Sequence, residues 1–346
     1  MSRPPFPMKE IAFQAGVSLA TVDRYVHDRP GVQAATRLRI QAAVQELSAQ
    51  YGQSPRAARL AIDVVIDAPG RFTQTCRAAF EAEAPALRPA SLRTRFHLGE
   101  NMDDGDVAAA LRSIAKRRSD GVVLKARATP KVHQAVTELI QSGIPVVTFV
   151  TDLPITARRA YVGMDNASAG RSVAWLMAQM MGPSSGRILI TLSDQDFQGE
   201  AARAAGFEQQ LHQSAAHLAT HVVTQTRGRD SETAAQVSAA LHTHPDITAV
   251  YSCGGANQAI LQAFSDQGHP LPLIAGHDLD QANRRLLAQR QLCFVVHHDV
   301  RSDARRACQH ILQHHCMLST DFDVGRTAFS IVTPFSLAHT DVAPMS

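Results

Sequence analysis

The sequence lacks the features of a membrane-spanning or exported protein. No stretch approaches the run of about 18 apolar residues that predicts a transmembrane helix. The opening residues, MSRPPFPMKEIAFQ, contain no continuous apolar segment of the kind found in signal peptides. The five cysteines form no C-x-x-C pair, which is typical of a reducing compartment. These absences predict a cytoplasmic protein with no membrane association.

Signatures of catalysis and of cofactor binding are also missing. The chain has no P-loop and no glycine fingerprint for a dinucleotide. In CQHILQHHC, His310 and His314 have a spacing that could hold a metal on a helix, but no glutamate follows His310 as in metalloproteases. We expect the polar residues of this segment to form a solvated face of a helix. We therefore predict no enzyme activity, no cofactor and no metal site.

The chain is long enough for two or three domains, and its basic charge is concentrated in one of them. It has 346 residues, of which 45% are hydrophobic and 19% are charged, as in soluble globular proteins. The net charge is only +3, yet residues 1–60 hold eight basic and four acidic side chains. The rest of the chain is therefore close to neutral. The N-terminal segment is the part expected to meet a polyanion.

The stretch MKEIAFQAGVSLATVDRYVHDRPGV predicts two helices joined by a tight turn. A first helix over residues 9–15 ends before Gly16, which adopts a positive φ cheaply, and Ser18 is suited to cap a second helix over residues 19–27. A third helix is expected over residues 36–50. Its predicted apolar stripe consists of Leu38, Val44 and Leu47. This pattern is typical of a helix-turn-helix, whose second helix enters the DNA major groove; a small helical bundle with a basic face is the alternative.

From residue 61 onward, short apolar strands alternate with amphipathic helical stretches. The predicted strands are IDVVID, GVVLKA, GIPVVTFVTD, RILITLSD, ITAVYSC, PLIAGHD and LCFVVHH. Such alternation predicts parallel sheets covered by helices on both faces. Residues 61–346 are too many for one such sheet, so two lobes are expected. The predicted fold class is α/β, with a small all-α helix-turn-helix headpiece followed by a two-lobed core.

The motifs of the chain resemble those of the lactose/galactose-repressor (LacI) family. The pattern AxxAGVSxxTVxR occupies residues 12–24, and Val32 and Thr36 follow it. The core continues the resemblance with AYVGMDNASAGR, ARAAGFEQQL and LIAGHDL. The resemblance covers nearly the whole chain. It implies a headpiece with a short linker at residues 1–60 and a periplasmic-binding-protein-like core at 61–346. In that core, lobe 1 would comprise about 61–162 and 298–322, and lobe 2 about 163–297 and 323–340.

The resemblance implies a dimeric transcription factor, and we predict a repressor. Two headpieces would read the halves of a palindromic operator in double-stranded DNA, and the core would bind a small effector, a sugar or a sugar derivative. Effector binding would rearrange the lobes and so change the spacing of the headpieces. Two alternatives stay open: a cytoplasmic sugar-binding protein, and a sugar-acting α/β enzyme with Asp152 and Asp278 as its carboxylate pair.

Transferred to this chain, the family's DNA contacts fall on the second helix and on the residues around it. Base-reading positions are Leu19, Ala20, Asp23 and Arg24, and backbone-anchoring positions are Ser18, Thr21, His27, Gln33 and Thr36. Arg24 can bind guanine O6 and N7 through two hydrogen bonds, and short hydroxyls and amides suit phosphate oxygens. Leu19 and Ala20 offer apolar contact, for example to a thymine methyl. Asp23 could accept from cytosine N4, orient Arg24, or pair within its own helix.

Effectors of two-lobed α/β proteins bind in the crevice beyond the carboxyl ends of the strands. Strand ends and family positions together predict a site made of Phe72, Lys125, Asp152, Arg203, Asn257, Asp278 and His298. Carboxylates, amides and arginine provide the acceptors and donors that sugar hydroxyls need. Phe72 could cover a sugar ring or be an ordinary core aromatic. Lys125 favours an anionic ligand if it faces the crevice, and has no role if it extends outward. His298 replaces an expected glutamine and adds a titratable group.

The linker YGQSPRAARL departs from the family pattern. A family hinge helix holds a leucine wedge at a defined position in the minor groove, but here Leu60 directly follows Ala58 and Arg59, and the first strand begins almost at once. We therefore predict that Leu60 packs on the core and does not separate base steps. A hinge helix displaced by one turn is the alternative.

Overall fold

A computed structural model of the protein describes most of the chain. The described residues are 6, 8–27, 29–51, 59–88, 90–100, 102–154, 157–183 and 185–337, with the backbone alone at 48–51. Three helices form the headpiece: α1 (Met8–Ala15), α2 (Leu19–Val26) and α3 (Ala34–Tyr51). Their boundaries lie within two residues of those predicted from the sequence.

The turn between α1 and α2 is held by the local interactions that its sequence predicts. Gly16 has a φ of +60°, and the Ser18 hydroxyl accepts a hydrogen bond from the Thr21 amide at 3.2 Å. The Arg39 guanidinium of α3 donates to the carbonyls of Ala15 and Gly16, at 2.7 and 3.0 Å. Arg39 thereby satisfies carbonyl groups left free at the end of α1, and it ties α3 to the turn.

The headpiece core differs from the predicted apolar stripe at one position. Its buried residues are Ile11, Ala12, Ala15, Val22, Ile40, Ala43 and Leu47, with Val44 partly buried against them. Leu38 is 66% exposed, so its prediction as a core residue was wrong. Successive residues of an α-helix are rotated by about 100°, so Leu38 and Ile40 point to nearly opposite sides of α3. Ile40 faces the headpiece core, and Leu38 faces solvent.

Within the described residues, five parallel strands form a first sheet in the order β2-β1-β3-β4-β5. They are β1 (Arg59–Asp67), β2 (Ser91–Gly99), β3 (Gly121–Lys125), β4 (Val146–Phe149) and β5 (Ala160–Val162). The intervening helices are α4 (Gly70–Glu83), α5 (Asp104–Lys116) and α6 (Pro130–Gln141), and a 3-10 turn at Ala84–Ala86 follows α4. This sheet and its helices form the first lobe.

Six further strands of the described chain form a second sheet, in the order β11-β10-β9-β8-β6-β7. The strands are β6 (Gly186–Thr191), β7 (Leu218–Val223), β8 (Ile247–Ser252), β9 (Leu273–His277), β10 (Phe294–His298) and β11 (Phe329–Val332). The helices of this half are α7 (Asn166–Met181), α8 (Gln198–Ser214), α9 (Asp230–Thr243), α10 (Asn257–Asp266) and α11 (Gln281–Ala288), and α12 (Val300–His314) follows β10. The strands pair in parallel except β11, which is antiparallel to β10.

The chain passes between the lobes more than once. It leaves the first sheet after β5, and it returns after β10, because α12 packs into the core of the first lobe through Ala304, Cys308 and Ile311. It then re-enters the second sheet as β11. None of the described helices is long and apolar enough to cross a membrane.

Leu60 is part of the first lobe. It lies in β1, is 7% exposed and belongs to the core cluster beneath the sheet. Its predicted packing on the core is confirmed. Residues 52–58, where a hinge helix would form, lie outside the described residues, so the absence of a minor-groove wedge stays a prediction.

Asp63 is expected to make the protein less stable in acid. It is fully buried in β1, where it accepts hydrogen bonds from Arg95 and His97 of β2. Burial alone would raise the pKa of Asp63, but the hydrogen bonds from His97 and Arg95 outweigh it and lower the pKa from 3.8 to about 2. Because the folded-state pKa is depressed, this stabilisation, about 2 kcal/mol, is present above pH 4 and is lost as the pH falls through about 2.

The free energy of unfolding in urea is measured between pH 6 and 2. Asp63→Asn should reduce its fall toward low pH, which is the acid limb of the profile. The control is Glu81→Gln, which removes a 55% exposed carboxylate from the same lobe and should leave that limb as in the parent protein. An Asp63→Asn profile parallel to that of the parent would contradict the assignment.

Candidate functional site

None of the predicted DNA-reading residues is buried in the headpiece. α2 buries Val22 completely and turns its other side toward solvent. Six of the nine predicted residues are exposed: Ser18, Leu19, Ala20, Arg24, His27 and Gln33. The other three, Thr21, Asp23 and Thr36, are half-buried. Leu19 and Ala20 start the helix and Arg24 lies one turn later, so the exposed face has the arrangement of a recognition helix.

Asp23 pairs within the headpiece. One carboxylate oxygen lies 3.1 Å from His27 Nδ1, and the other accepts from Arg29 at 3.0 Å. Of the roles left open by the sequence, the local pairing is the one found. Asp23 therefore positions two basic side chains at the end of α2, and base readout by its carboxylate would require that pairing to break.

A cavity of about 1990 Å³ lies between the two lobes. It is lined by residues at or just beyond strand ends: Asp67, Lys125, Val150, Thr151, Ser193, Cys253, His277 and Asp278. Because parallel strands present their carboxyl ends at one edge of a sheet, both lobes place these residues on the cavity. Five predicted effector residues line it, namely Phe72, Lys125, Arg203, Asn257 and Asp278.

Lys125 is directed into this cavity. Its side chain is buried, and Nζ donates to the backbone carbonyl of Asp67 at 3.0 Å. The ammonium lies 4.1 Å from the ring centroid of Phe197 and 5.8 Å from that of Phe72. Burial lowers the pKa of Lys125, and the Glu200 carboxylate opposes the shift. The outward orientation considered from the sequence is therefore excluded.

Arg203 joins three elements of the second lobe at the cavity wall. Its Nε donates to Asn166 Oδ1 at 2.8 Å, and its Nη1 donates to the carbonyl of Cys253 at 3.4 Å. Asn166 begins α7, Arg203 lies in α8, and Cys253 follows β8. The side chain is 4% exposed, so these bonds hold the guanidinium in a defined position.

The second lobe also provides acceptors for a ligand. Asn257 donates through Nδ2 to Asn283 at 2.7 Å. In the described part of the chain, Asn257 Oδ1 and Asp278 Oδ1 are buried atoms without a hydrogen-bond partner. Buried acceptors are normally satisfied, so these two oxygens can accept from a hydroxyl donor in the cavity.

Asp152 corrects the sequence prediction. Its carboxylate accepts hydrogen bonds from the Thr148 hydroxyl, the Leu153 amide and the Arg158 guanidinium, at 2.7, 2.8 and 2.6 Å. The chain turns after β4 through Val150, whose φ is +63°, so Val150 and Thr151 line the cavity and Asp152 does not. Asp152 and Asp278 are therefore not brought together as the enzyme alternative requires.

His298 also lies off the cavity surface. It is fully buried, its Nδ1 is 2.6 Å from Asp303 Oδ2, and its Nε2 is 3.6 Å from Asp278 Oδ1. The neighbouring His297 lines the cavity instead, because successive side chains of a strand point to opposite faces. His298 is thus placed to position Asp278, and direct contact with an effector is not supported.

His310 and His314 of α12, the pair weighed from the sequence, belong to no group of three potential metal ligands among the described residues. Cys308 is completely buried in the core of the first lobe, and His315 Nε2 lies 2.6 Å from the carbonyl of Asp120. Throughout the described residues, no three His, Cys, Asp or Glu side chains are grouped so that they could hold a metal ion.

Two arginines that the sequence did not single out connect the lobes across the cavity. Arg71 lies 3.5 Å from Asp280 and donates to the carbonyl of Gly228 at 3.2 Å. Arg127 lies 3.6 Å from Asp194. Each arginine belongs to the first lobe and each partner to the second. Sequence patterning could not find these contacts, because it does not say which loops of two lobes face each other.

Glu200 is a further cavity residue without a sequence signal. Its carboxylate accepts from the backbone amide and the hydroxyl of Ser193, both at 2.6 Å. Burial raises the pKa of Glu200, and these hydrogen bonds and Lys125 oppose the shift. Its position in the first turn of α8 resembles an ordinary acidic residue at a helix start, which is why the pattern gave no indication of the cavity.

Two family models match the chain. The model for bacterial regulatory proteins, lacI family, matches residues 7–49, and the periplasmic binding protein domain matches residues 62–315. The two matches fall on the headpiece and on the two-lobed core. No curated protein matches the chain significantly.

Solved structures share the fold of the core. A glucose-galactose binding protein from Geobacillus stearothermophilus is 18% identical, with a TM-score of 0.72 over 82% of this chain and 99% of its own. A transporter solute binding protein from Bacillus halodurans C-125 with bound myo-inositol is 17% identical, with a TM-score of 0.72 over 83% and 98%. Another, from Burkholderia graminis C4D1M in complex with D-arabinose, is 16% identical, with a TM-score of 0.73 over 83% and 99%.

Proposed function

The chain belongs to the lacI family of bacterial regulatory proteins, with a periplasmic binding protein domain as its core, and we propose that it is a repressor controlled by a carbohydrate. A dimer would place two headpieces on a palindromic operator. The effector would bind between the lobes and change the affinity for that operator. The protein would act in the cytoplasm.

The observation that carries this proposal is one chain with both an exposed recognition helix and a cavity between two lobes. The free acceptors Asn257 Oδ1 and Asp278 Oδ1 suit the hydroxyl groups of a carbohydrate. The similar solved proteins bind sugars or an inositol in their own structures, which supports the same ligand class here.

Control of DNA binding would follow from unequal affinity of the effector for two lobe arrangements. The first lobe follows the headpiece linker, and Arg71 and Arg127 link it to the second lobe across the cavity. A ligand that contacts both lobes favours the arrangement in which they are close. In a dimer, that preference would change the distance between the headpieces.

The decisive experiment selects an operator from random duplexes with the full chain and then measures its affinity in the presence of carbohydrates. We expect a palindromic operator. The logarithm of the protein's affinity for it should fall steeply with the logarithm of the salt concentration, because phosphate contacts release counterions. At least one carbohydrate should change that affinity. A selection that yields no palindrome would contradict the headpiece assignment, and an affinity that no carbohydrate changes would contradict the effector class.

Arg24→Ala is expected to weaken operator binding by about 1–3 kcal/mol and to relax the preference at one base pair in each half-site. The physical reason is the loss of a paired hydrogen bond from the exposed guanidinium to a guanine. Repeating the selection with the variant measures both effects. Arg77→Ala, which removes a 48% exposed arginine from the first lobe, is the matched control and should not alter either one. Unchanged base preference in Arg24→Ala would assign readout to other residues.

A further inference from the structure

Two buried cations face the cavity, and their hydrogen bonds all go to neutral oxygens. Lys125 is 8% exposed and Arg203 is 4% exposed. Lys125 donates to the backbone carbonyl of Asp67, and Arg203 donates to the amide oxygen of Asn166 and to the carbonyl of Cys253. Among the side chains that the structure describes, neither cation has a carboxylate oxygen within 4.0 Å. Buried charges are normally paired, and Lys125 has no such partner in contact, so it is poised for an anion.

The two carboxylates that act most strongly on Lys125 are already engaged elsewhere. Both oxygens of Glu200 accept hydrogen bonds from Ser193. Asp67 accepts from the backbone of Met102 and lies 3.4 Å from Arg127. Neither carboxylate is in contact with Lys125 or Arg203, although each influences Lys125 at longer range.

The charge of Lys125 favours a single negative charge on the ligand. Asp278 is the acid that attracts Arg203 most strongly, and the pKa of Arg203 is raised despite its burial. Burial lowers the pKa of Lys125 instead, so Lys125 is the cation left for a ligand. A carboxylate balances its one positive charge, whereas a phosphate dianion exceeds it.

We propose that the effector is a sugar acid, whose carboxylate binds Lys125 in the first lobe while its hydroxyl groups bind Asp278 and Asn257 in the second. The inference rests on the proposed function and narrows its ligand class. An ammonium has three N–H donors, and one of those of Lys125 is used by Asp67. The rings of Phe72 and Phe197 flank the ammonium and leave the cavity as the direction for the other donors.

A neutral sugar is a poorer partner for this lysine. A hydroxyl oxygen can accept from the ammonium but leaves its charge without a counterion. A hydrogen bond between two ionised groups is roughly twice as strong as one between neutral groups, and salt screens it much less in a buried cavity than at the surface. The ligand would also connect the lobes, since its acidic and hydroxyl ends are bound by different lobes.

The test is calorimetric titration of the full chain with matched neutral and acidic sugars. The pairs are D-galactose and D-galacturonate, D-glucose and D-glucuronate, and D-arabinose and D-arabinonate, with D-glucose 6-phosphate as the dianionic probe. We expect at least one acid to bind about tenfold or more tightly than its neutral counterpart. Lys125→Met should remove that preference, and Lys125→Arg should retain part of it. Lys131→Met makes the same change at an exposed lysine of α6 and should have no effect.

The ligand-free melting temperature separates a binding role from a structural one. Because Lys125 is a buried cation without a contacting carboxylate, Lys125→Met should melt at the same temperature as the parent or higher. A lower melting temperature would show that Lys125 is structural and would overturn the inference. The comparison of acids with neutral sugars uses the parent protein alone, so it decides the question even if the variant fails to fold.

The remaining outcomes distinguish this inference from the proposed function. A neutral sugar that binds more tightly than its acid, or preferred binding of the sugar phosphate, would overturn the sugar-acid assignment and leave a carbohydrate-controlled regulator in place. Absence of binding by every neutral and acidic carbohydrate would overturn both.

Discussion

Arg203→Ala is expected to abolish the thermal stabilisation that a carbohydrate effector confers, while operator binding without effector persists. The guanidinium lines the cavity and is held by Asn166 and by the carbonyl of Cys253. Each lost hydrogen bond to a charged group costs about 1.5–3 kcal/mol. The loss of two such bonds to a ligand would weaken binding by about 100-fold or more.

A thermal-shift series with increasing ligand measures this effect, because a ligand that binds the native state raises the melting temperature by mass action. The matched control is Arg187→Ala, which removes an arginine of the same lobe whose partner is Asp246, outside the cavity lining. It should respond to ligand as the parent does. If Arg203→Ala does not fold, Asp278→Asn tests the same wall of the cavity through a different residue. Full ligand stabilisation in both cavity variants would place the effector elsewhere.

Asp303→Asn is expected to produce a large loss of stability. Asp303 is completely buried and accepts hydrogen bonds from His298, Arg306 and Thr327, at 2.6, 3.0 and 2.6 Å. These partners come from β10, from α12 and from the segment before β11, where the chain passes between the lobes. Removing one partner of a buried ionic network costs about 3–5 kcal/mol. At about 2–4 °C per kcal/mol, the melting temperature should fall by roughly 6–20 °C.

Differential scanning calorimetry of the ligand-free proteins measures this change. Asp246→Asn is the control, since its carboxylate is 53% exposed and pairs with Arg187 at the surface; exposed ion pairs contribute about 0–1 kcal/mol. A fall for Asp303→Asn no larger than that of the control would show that the network does not stabilise the junction between the lobes.

The headpiece was predictable from the sequence because its determinants are local. Gly16 provides the positive φ of the turn, and Ser18 caps a helix through an amide three residues away. Such interactions depend on neighbours within one helical turn, so a short sequence motif is enough to predict them. The alternation of apolar strands with amphipathic helices likewise predicted the two-lobed parallel core, because burial on both faces requires continuous apolar strands.

The sequence also predicted which strand ends contribute to the cavity, because parallel strands place their carboxyl ends at one edge. It did not determine which side chain beyond each strand reaches the cavity. After β4, a positive φ at Val150 directs Thr151 inward and leaves Asp152 to pair with Arg158. At the end of β10, strand alternation places His297 on the cavity and His298 beneath it.

By itself, the sequence determined the headpiece, the fold class and the family, because each of these follows from short-range patterns of turn, cap and hydrophobic period. The tertiary structure alone decided the orientation of Lys125, the removal of Asp152 from the cavity and the pairing of Arg71 with Asp280 across it. The direction of a side chain at a strand end depends on one backbone dihedral and on the groups of the facing lobe. Those groups are more than 100 residues away along the chain for Arg71, so no local pattern contains them.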